Sequence, residues 1–169
     1  MENVALAGLI VGLAGCAGSG NRLVVDPVGP LVGAHGTFLR SNTGYLEVYT
    51  ATRQVNDAGT LTLQPTPYSI YRPDGHRFKG VLNAVGSSDN KPMVVPLPAG
   101  NYVVYANAEG YGQVQVPVVI VGSRLTEVHL QYGGWKDVGN LPDAEKVRLP
   151  DGRVVGRKPE PAAPSKPVL

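Results

Sequence analysis

The chain has 169 residues, 22 of them glycine and 15 proline, and a formal net charge of +2 at pH 7. This length suits one domain of ordinary size with additional terminal segments. Abundant glycine and proline, a charged fraction of 17% and the lack of a long amphipathic helical pattern after residue 16 favour a β-rich fold. Because 15 basic residues are nearly balanced by 13 acidic ones, no basic stripe is available to neutralise phosphates, and nucleic acid is not expected as a partner.

An apolar segment occupies residues 4–15 and ends at Cys16, the sole cysteine of the chain. The segment is too short to span a bilayer, but it has the length of the hydrophobic region of a signal peptide. Three interpretations are open from the residues alone: a lipoprotein precursor, a cleaved secretory signal with an incidental cysteine, and a buried apolar helix.

The residues Leu13-Ala14-Gly15-Cys16 resemble the lipobox of bacterial lipoprotein precursors. The resemblance implies that residues 1–15 are a signal peptide, that the thiol of Cys16 takes a diacylglycerol, and that acyl chains attach the protein to a membrane. Two or more acyl chains anchor a protein stably, whereas one chain does not. The location that the resemblance implies is the cell envelope, on the outer membrane or on the periplasmic face of the inner membrane.

Composition divides the remainder of the chain into four parts. It predicts a flexible Gly/Pro tether over residues 16–36, a folded β-sandwich over 37–135, a hairpin extension over 136–157, and a disordered proline-rich tail over 158–169. Within the sandwich, Tyr45–Ala51 alternates between apolar and polar residues and predicts the first full strand. The polar segment Arg53–Gly59 ends in glycine and predicts a loop.

The tripeptide Pro-Asp-Gly occurs twice, at Pro73–Gly75 and at Pro150–Gly152. Proline sets φ for the turn, aspartate hydrogen-bonds to the backbone that follows it, and glycine takes a positive φ. Each tripeptide lies between two short runs of strand-forming residues. The sequence therefore predicts a β-hairpin at each place.

The stretch Leu97–Leu130 organises the prediction of the fold. It contains three runs of alternating apolar residues, separated by glycine-bearing turns, which is the pattern of half-buried antiparallel strands. We expect the three strands to be adjacent in one sheet. The residues that share an apolar face are Tyr102, Val104 and Ala106 in the first run, Val114, Val116, Val118 and Ile120 in the second, and Val128 and Leu130 in the third. An apolar face must be covered by another layer, which we expect from residues before Leu97. The prediction is an all-β sandwich of about seven strands.

This stretch resembles the carboxypeptidase regulatory-like and PEGA-like domains. The resemblance lies in the sequence Gly100-Asn101-Tyr102, in the pair Gly110-Tyr111, and in Gly122, Thr126 and Val128 of the closing strand. It extends from about Tyr45 to Gln131 and is clearest after Lys91. It implies a transthyretin-like Greek-key sandwich formed by residues 37–135.

Aromatic residues are the best candidates for recognition, because a rigid amphipathic ring provides contact area at little entropic cost. Strand parity and turn position select Tyr45, Tyr49, Tyr71, Tyr105 and Trp135. Trp135, beside two glycines, has two interpretations: an exposed ring for ligand stacking, or a ring that caps the end of the core. We favour the second.

A metal site is the alternative chemical hypothesis. Glu127 and His129 have the same strand parity and could ligate zinc, but a site would need a further ligand, for which His76 is the candidate. Because His129 has the opposite parity to Val128 and Leu130, the favoured interpretation is a solvated face. No nucleophile elbow or phosphate loop is present, so no catalytic residue, metal or other cofactor is expected.

These observations predict a non-catalytic lipoprotein of the cell envelope, with a β-sandwich that serves as a structural or interaction module. The expected partners are the membrane, through the lipid at Cys16, and an envelope protein or glycan. The alternative is an envelope metal-dependent hydrolase that uses His129, Glu127 and His76.

Overall fold

The computed structural model describes residues 23–31, 42–57, 59–83, 92–136 and 138–160. The predicted signal peptide over residues 1–15 lies outside these residues, as do Cys16 and the tail beyond residue 160. No helix within the described ranges has the length and apolar character needed to cross a bilayer.

The described residues form twelve β-strands and one short 3₁₀ helix. The strands are β1 Leu23–Val24, β2 Thr43–Tyr49, β3 Thr52–Asp57, β4 Thr60–Pro65, β5 Tyr68–Tyr71, β6 Arg77–Val81, β7 Val95–Pro98, β8 Gly100–Ala108, β9 Gly112–Ile120, β10 Leu125–His129, β11 Lys146–Arg148 and β12 Val154–Arg157. The 3₁₀ helix is Asp143–Glu145 and immediately precedes β11. The predicted all-β class is therefore confirmed.

Two main sheets pack into a sandwich. The larger sheet has the strand order β1-β9-β8-β5-β6, and the smaller sheet has the order β10-β2-β7. Strand β1 runs parallel to β9, and β10 runs parallel to β2, whereas the other pairs are antiparallel. Strands β3 and β4 form a separate hairpin, as do β11 and β12. The Greek-key strand order remains a prediction.

The sandwich core has the alternation that the sequence predicts for β8 and β9. Every second residue from Tyr102 to Ala108 and from Val114 to Ile120 is buried. Both sheets contribute to one apolar cluster, with Leu46 and Leu97 on the smaller sheet. One expectation was wrong: the third apolar run, β10, does not continue the sheet of β8 and β9 but pairs with β2 in the opposing sheet.

The segment Leu23–Leu31 is part of the sandwich, so the predicted tether over residues 16–36 is wrong there. Val28 is fully buried and Val25 nearly so. The backbone of Val28 donates to Pro117 O at 2.9 Å and accepts from Val119 N at 2.8 Å. Glycine and proline weaken strand periodicity, but a few valines suffice to cover the otherwise unpaired edge of β9.

The segment Arg53–Gly59 was predicted as a loop, but Thr52–Asp57 is the strand β3, which pairs with β4. The turn is closed at Gly59, whose φ is 88° and whose N–H donates to Asn56 Oδ1 at 3.0 Å. This hairpin has no buried face, because Leu61 and Leu63 on β4 are 68% and 57% exposed. The missed strand β3 contains a single apolar residue, Val55, and so has no apolar alternation that could predict it.

Both Pro-Asp-Gly turns form hairpins with the same local geometry. Gly75 and Gly152 have φ values of 86° and 87°. In each turn the aspartate accepts a backbone hydrogen bond from two residues ahead: His76 N to Asp74 at 2.9 Å, and Arg153 N to Asp151 at 3.0 Å. The first turn joins β5 and β6, and the second joins β11 and β12.

The predicted disordered tail begins with three residues that contact the sandwich. Lys158 N donates to Glu145 O at 2.7 Å, and Glu160 pairs with Arg124 at 3.0 Å. Pro159 lies so close to Gly29 that a Cβ at residue 29 would overlap its backbone. The tail prediction is therefore wrong for residues 158–160, because backbone pairing and close packing against a glycine replace the apolar contacts that the segment lacks.

Candidate ligand-binding site

Three aromatic rings stack on the outer side of the smaller sheet. Tyr49 and His129 lie directly opposite each other in the parallel pairing of β2 and β10, and their ring centroids are 4.3 Å apart at an interplanar angle of 9°. The indole of Trp135 covers the other side of His129, with a centroid distance of 5.5 Å and an angle of 7°. We call Tyr49, His129 and Trp135 the aromatic stack.

Two glycines bring Trp135 back over the strand. Gly133 and Gly134 have φ values of 80° and 57°, which glycine adopts without steric cost. Gly134 N donates to Gln131 O at 3.0 Å, and Trp135 N donates to Val154 O at 2.7 Å. A Cβ at residue 134 would overlap the carbonyl of Val154, so this turn requires glycine for space as well as for φ.

Two carboxylates control the electrostatics of the aromatic stack. Glu127 Oε2 lies 3.1 Å from His129 Nε2, and both side chains are largely removed from solvent. Burial, followed by the negative charges of Glu47 and Glu127 and a hydrogen bond to Glu47, raises the pKa of Tyr49 to about 12. Tyr49 therefore stays a neutral hydroxyl at physiological pH.

The aromatic stack borders a cavity of about 470 Å³. Leu31, Glu127, Gln131, Gly134 and Lys136 line the rest of it. The side-chain oxygen of Gln131 is buried and has no hydrogen-bond partner among the described residues. A buried acceptor without a partner costs free energy unless a ligand or water donates to it. Flat rings beside hydrogen-bond acceptors suit a ligand with an apolar ring face and several hydroxyl donors.

The structure places the predicted recognition residues in three locations. Tyr49 and Trp135 belong to the aromatic stack. Tyr71 and Tyr105 contact each other on the larger sheet, with ring centroids 4.7 Å apart. Tyr45 lies opposite Pro96 and Leu125 in the smaller sheet, away from both groups in register. Trp135 is half-buried and covers a histidine on the outer side of the sheet.

The expectation that His129 lies on a solvated face is wrong, because the residue is only 7% exposed. Its parity is as predicted, but Trp135 forms a further layer over that face. His76 is an exposed residue of the β5–β6 turn. The described part of the chain contains no group of three or more His, Cys, Asp or Glu residues that could hold a metal ion, so His76 does not complete a site with Glu127 and His129.

Sequence reasoning missed Gln131 and Glu47 as contributors to this site. Gln131 continues the spacing of Glu127 and His129 by two further residues, and Glu47 shares the parity of Tyr49. Strand parity in the sequence thus indicated that Gln131 lies on the face of Glu127 and His129, and Glu47 on the face of Tyr49. What the sequence did not show is the parallel pairing of β2 with β10, which brings the two sets of residues onto one surface.

Comparisons of this chain with protein-family models, with curated proteins and with solved structures found no match.

Proposed function

We propose that the protein is a non-catalytic lipoprotein of the bacterial cell envelope whose β-sandwich binds a neutral, hydroxyl-rich glycan beside the aromatic stack. One observation carries the binding proposal. A half-buried tryptophan, the carboxylate of Glu127 and the unpartnered oxygen of Gln131 border the same cavity. A sugar ring can pack its apolar face on the indole while its hydroxyls donate to these oxygens.

The proposal of a lipid anchor rests on the sequence Leu13–Cys16. The position of β1 limits how far from the membrane such an anchor would allow the sandwich to lie. Only residues 17–22 separate Cys16 from Leu23, the first residue of β1, and six residues reach roughly 20 Å when fully extended. An anchor at Cys16 would therefore hold the sandwich close to the membrane surface, where envelope glycans are accessible.

The family proposed for the sandwich is the carboxypeptidase regulatory-like group, with its transthyretin-like Greek-key topology. The all-β architecture supports this proposal, as does the regular pairing of β8 and β9 from Gly100 to Ile120. These residues include the Gly100-Asn101-Tyr102 and Gly110-Tyr111 segments that carry the resemblance.

A binding role without catalysis is favoured by the contacts of Glu127 and His129, the one pair of acid and imidazole among the described residues that line the cavity. The carboxylate of Glu127 lies within hydrogen-bonding distance of His129 Nε2, at 3.1 Å. Aromatic rings cover both faces of the imidazole. These contacts fix the histidine in place and limit its access to a substrate. A hydrolase would need at least one further ligand or base near Glu127 and His129.

Fluorescence tests the binding proposal directly, because Trp135 is the only tryptophan in the chain. Chitotriose and maltotriose would be titrated into the full-length protein in neutral detergent while the Trp135 emission is recorded. We expect a saturable change for at least one of them. Gln131→Leu should weaken that binding by up to about tenfold, the value of one hydrogen bond, whereas Gln54→Leu on the exposed strand β3 should not. No saturable change, or equal effects of the two substitutions, would contradict the proposal.

The lipid anchor needs a separate test. Intact-mass measurement and detergent phase partitioning would be carried out on the protein from its native host and on a Cys16→Ser variant. The expected result is an added acyl mass that disappears in the variant, together with a shift to the aqueous phase or accumulation of the unprocessed chain. A wild-type protein without acyl mass would overturn the anchor.

A further inference from the structure

A second concave surface lies on the outer side of the larger sheet, whereas the aromatic stack lies on the smaller sheet. It encloses about 600 Å³ across β5, β6 and β8 and reaches the first residues of β9. Ser69 and Tyr71 of β5 lie opposite Gly80 and Arg77 of β6, and Ser69 also lies opposite Tyr105 of β8. Residues directly opposite each other in antiparallel strands share one face. We call this surface the outer groove.

Arg77 is the only ionisable side chain other than tyrosine that lines the outer groove within the described part of the chain. No ion pair of Arg77 occurs among the described residues, although other lysines and arginines form six ion pairs there. Among the described residues, no Asp or Glu lines the groove. A guanidinium on a concave surface without a nearby carboxylate attracts an anion, and its planar fork matches a carboxylate with two hydrogen bonds.

Gly80 determines where the guanidinium lies. A Cβ built at residue 80 would overlap Nη2 of Arg77, and the three atoms nearest to that position outside the neighbouring residues all belong to the guanidinium of Arg77. Nη2 of Arg77 therefore occupies the space that a side chain at residue 80 would take. Arg77 as a whole is exposed, so the guanidinium is accessible to a ligand in the groove.

An aromatic pair completes the groove. Tyr71 and Tyr105 have ring centroids 4.7 Å apart and an interplanar angle of 59°, so their rings form a tilted wall. Ser69 and Gln113 add a hydroxyl and an amide on the same surface. The groove thus combines a positive charge, flat aromatic rings and neutral hydrogen-bonding groups.

We propose that the outer groove binds an acidic saccharide, with the carboxylate of a uronic acid on Arg77 and the sugar ring against Tyr71 and Tyr105. The guanidinium, which has no carboxylate partner among the described residues, selects the carboxylate of the ligand. The tyrosines select a ring with an apolar face, and Ser69 and Gln113 suit its hydroxyls. This site differs in charge from the cavity beside the aromatic stack, and it does not depend on ligand binding there.

Calorimetry of the full-length protein in neutral detergent at low salt tests this inference. The probes are tri-galacturonate, its methyl ester, which keeps the rings and removes the charge, and N-acetyl-tri-alanine, which carries a carboxylate without a sugar. We expect tri-galacturonate to bind about tenfold more tightly than the ester, the effect of one hydrogen bond to a charged group. It should also bind more tightly than the peptide.

Variants assign the effect to the groove. Arg77→Gln should weaken tri-galacturonate binding about tenfold toward the level of the ester. Gly80→Ala displaces the guanidinium without changing the charge and should weaken this binding by a smaller factor. Lys79→Gln removes the same charge from the same strand, at a position that pairs with the inward-facing Ile70, and should change the affinity less than about twofold. Trp135→Phe should also leave it unchanged.

The proposal is overturned if the ester binds as tightly as the acid, if the peptide binds best, or if no probe binds. It is likewise overturned if Lys79→Gln weakens binding as much as Arg77→Gln, since the effect would then be one of general charge. Urea midpoints equal to that of the wild type would confirm that Arg77→Gln and Lys79→Gln remain folded.

Discussion

At the scale of single residues, His129 shows how a polar side chain becomes buried without entering the core. Thr126 and Val128 point into the sandwich and are fully buried, whereas His129 has the opposite parity and is covered from outside by Trp135. A buried imidazole needs a hydrogen-bond partner, which Glu127 provides at 3.1 Å. The histidine therefore contributes a flat surface to the aromatic stack on which Trp135 can rest.

The first prediction concerns the ionisation of Tyr49. Its pKa is raised to about 12 in the folded protein, by burial first and then by the charges of Glu47 and Glu127, whereas a tyrosine in an unfolded chain titrates near 10. The neutral hydroxyl thus stabilises the fold fully below pH 10. This contribution is lost as the pH rises from about 10 to about 12.

Ultraviolet titration of tyrosinate would measure this shift. The difference between the wild-type curve and that of Tyr49→Phe isolates one tyrosine, and its midpoint should lie near 12 in buffer. The same difference in concentrated urea should have a midpoint near 10. Equal midpoints in both solvents would show that Tyr49 is solvated in the folded protein.

At the scale of elements, the pairing of β8 with β9 was the most predictable part of the structure. Nine consecutive residue pairs join Gly100–Ala108 to Gly112–Ile120, and both strands show strict alternation of burial. Because the side-chain period of a strand is two, a one-residue error in register would move every apolar residue to the wrong face. Strict alternation over nine residues therefore determines which residues of the two strands face the core.

The second prediction tests that register. Val116 is fully buried, and Gln115 faces outward opposite Tyr105. Val116→Asp should destabilise the protein by roughly 3 kcal/mol or more, because it buries a carboxylate without a partner. Gln115→Asp should change the free energy of unfolding by about 0.5 kcal/mol or less. Urea midpoints of the two variants provide the comparison, and equal midpoints or the reverse order would mean that the faces are exchanged.

The hairpin of β11 and β12 depends on one arginine for part of its attachment to the sandwich. Arg153 Nη2 donates to Glu109 O at 2.5 Å, and Nη1 donates to Gln131 O at 3.2 Å. The guanidinium also pairs with Asp151 and lies over the rings of Tyr111 and Tyr132. A planar fork can reach two carbonyls at once, which an ammonium on a longer, flexible stem does not reproduce.

The third prediction follows from this geometry. Arg153→Lys keeps the charge but should destabilise the protein by about 1–3 kcal/mol, because at least one partly buried carbonyl loses its charged donor. Arg148→Lys on the same hairpin is the matched control. The side chain of Arg148 is 41% exposed, so this substitution should change the free energy of unfolding by about 0.5 kcal/mol or less. Thermal or urea unfolding measures both. A loss of the same size in the two variants would show that the fork of Arg153 is not responsible.

At the scale of the whole molecule, local patterns predicted the fold class and failed where stability comes from distant parts of the chain. The all-β sandwich and the core of β8 and β9 follow from alternation, and the hairpin turns follow from Pro-Asp-Gly. The parallel additions of β1 to β9 and of β10 to β2 have no local signal, since they join segments remote in sequence. The same holds for the candidate site, whose residues come from segments remote in sequence. Tyr49 and Trp135 could be selected from the sequence, but their meeting around His129 could not.

The N-terminal segment, residues 23–31, packs against the C-terminal hairpin of β11 and β12, which is also remote in sequence. Gly29 N donates to Arg157 O at 2.7 Å, and Leu31 N donates to Leu125 O at 2.9 Å. A Cβ at Gly156 would overlap the side chain of Val28. The segment therefore lies between the edge of the larger sheet and the hairpin, and it connects the two.

The last prediction tests whether this segment belongs to the folded unit or behaves as the tether that its composition suggests. Val28 is fully buried and Val24 is 59% exposed, although both lie in the same glycine- and proline-rich segment. Val28→Ala removes two buried methyl groups and leaves a cavity, so we expect a destabilisation of about 2 kcal/mol. Val24→Ala makes the same chemical change at the surface and should cost about 0.5 kcal/mol or less. Urea midpoints of the two full-length variants decide between the alternatives. If both variants unfold at the wild-type midpoint, residues 23–31 do not pack on β9, and the structure of the N-terminal edge of the sandwich is wrong.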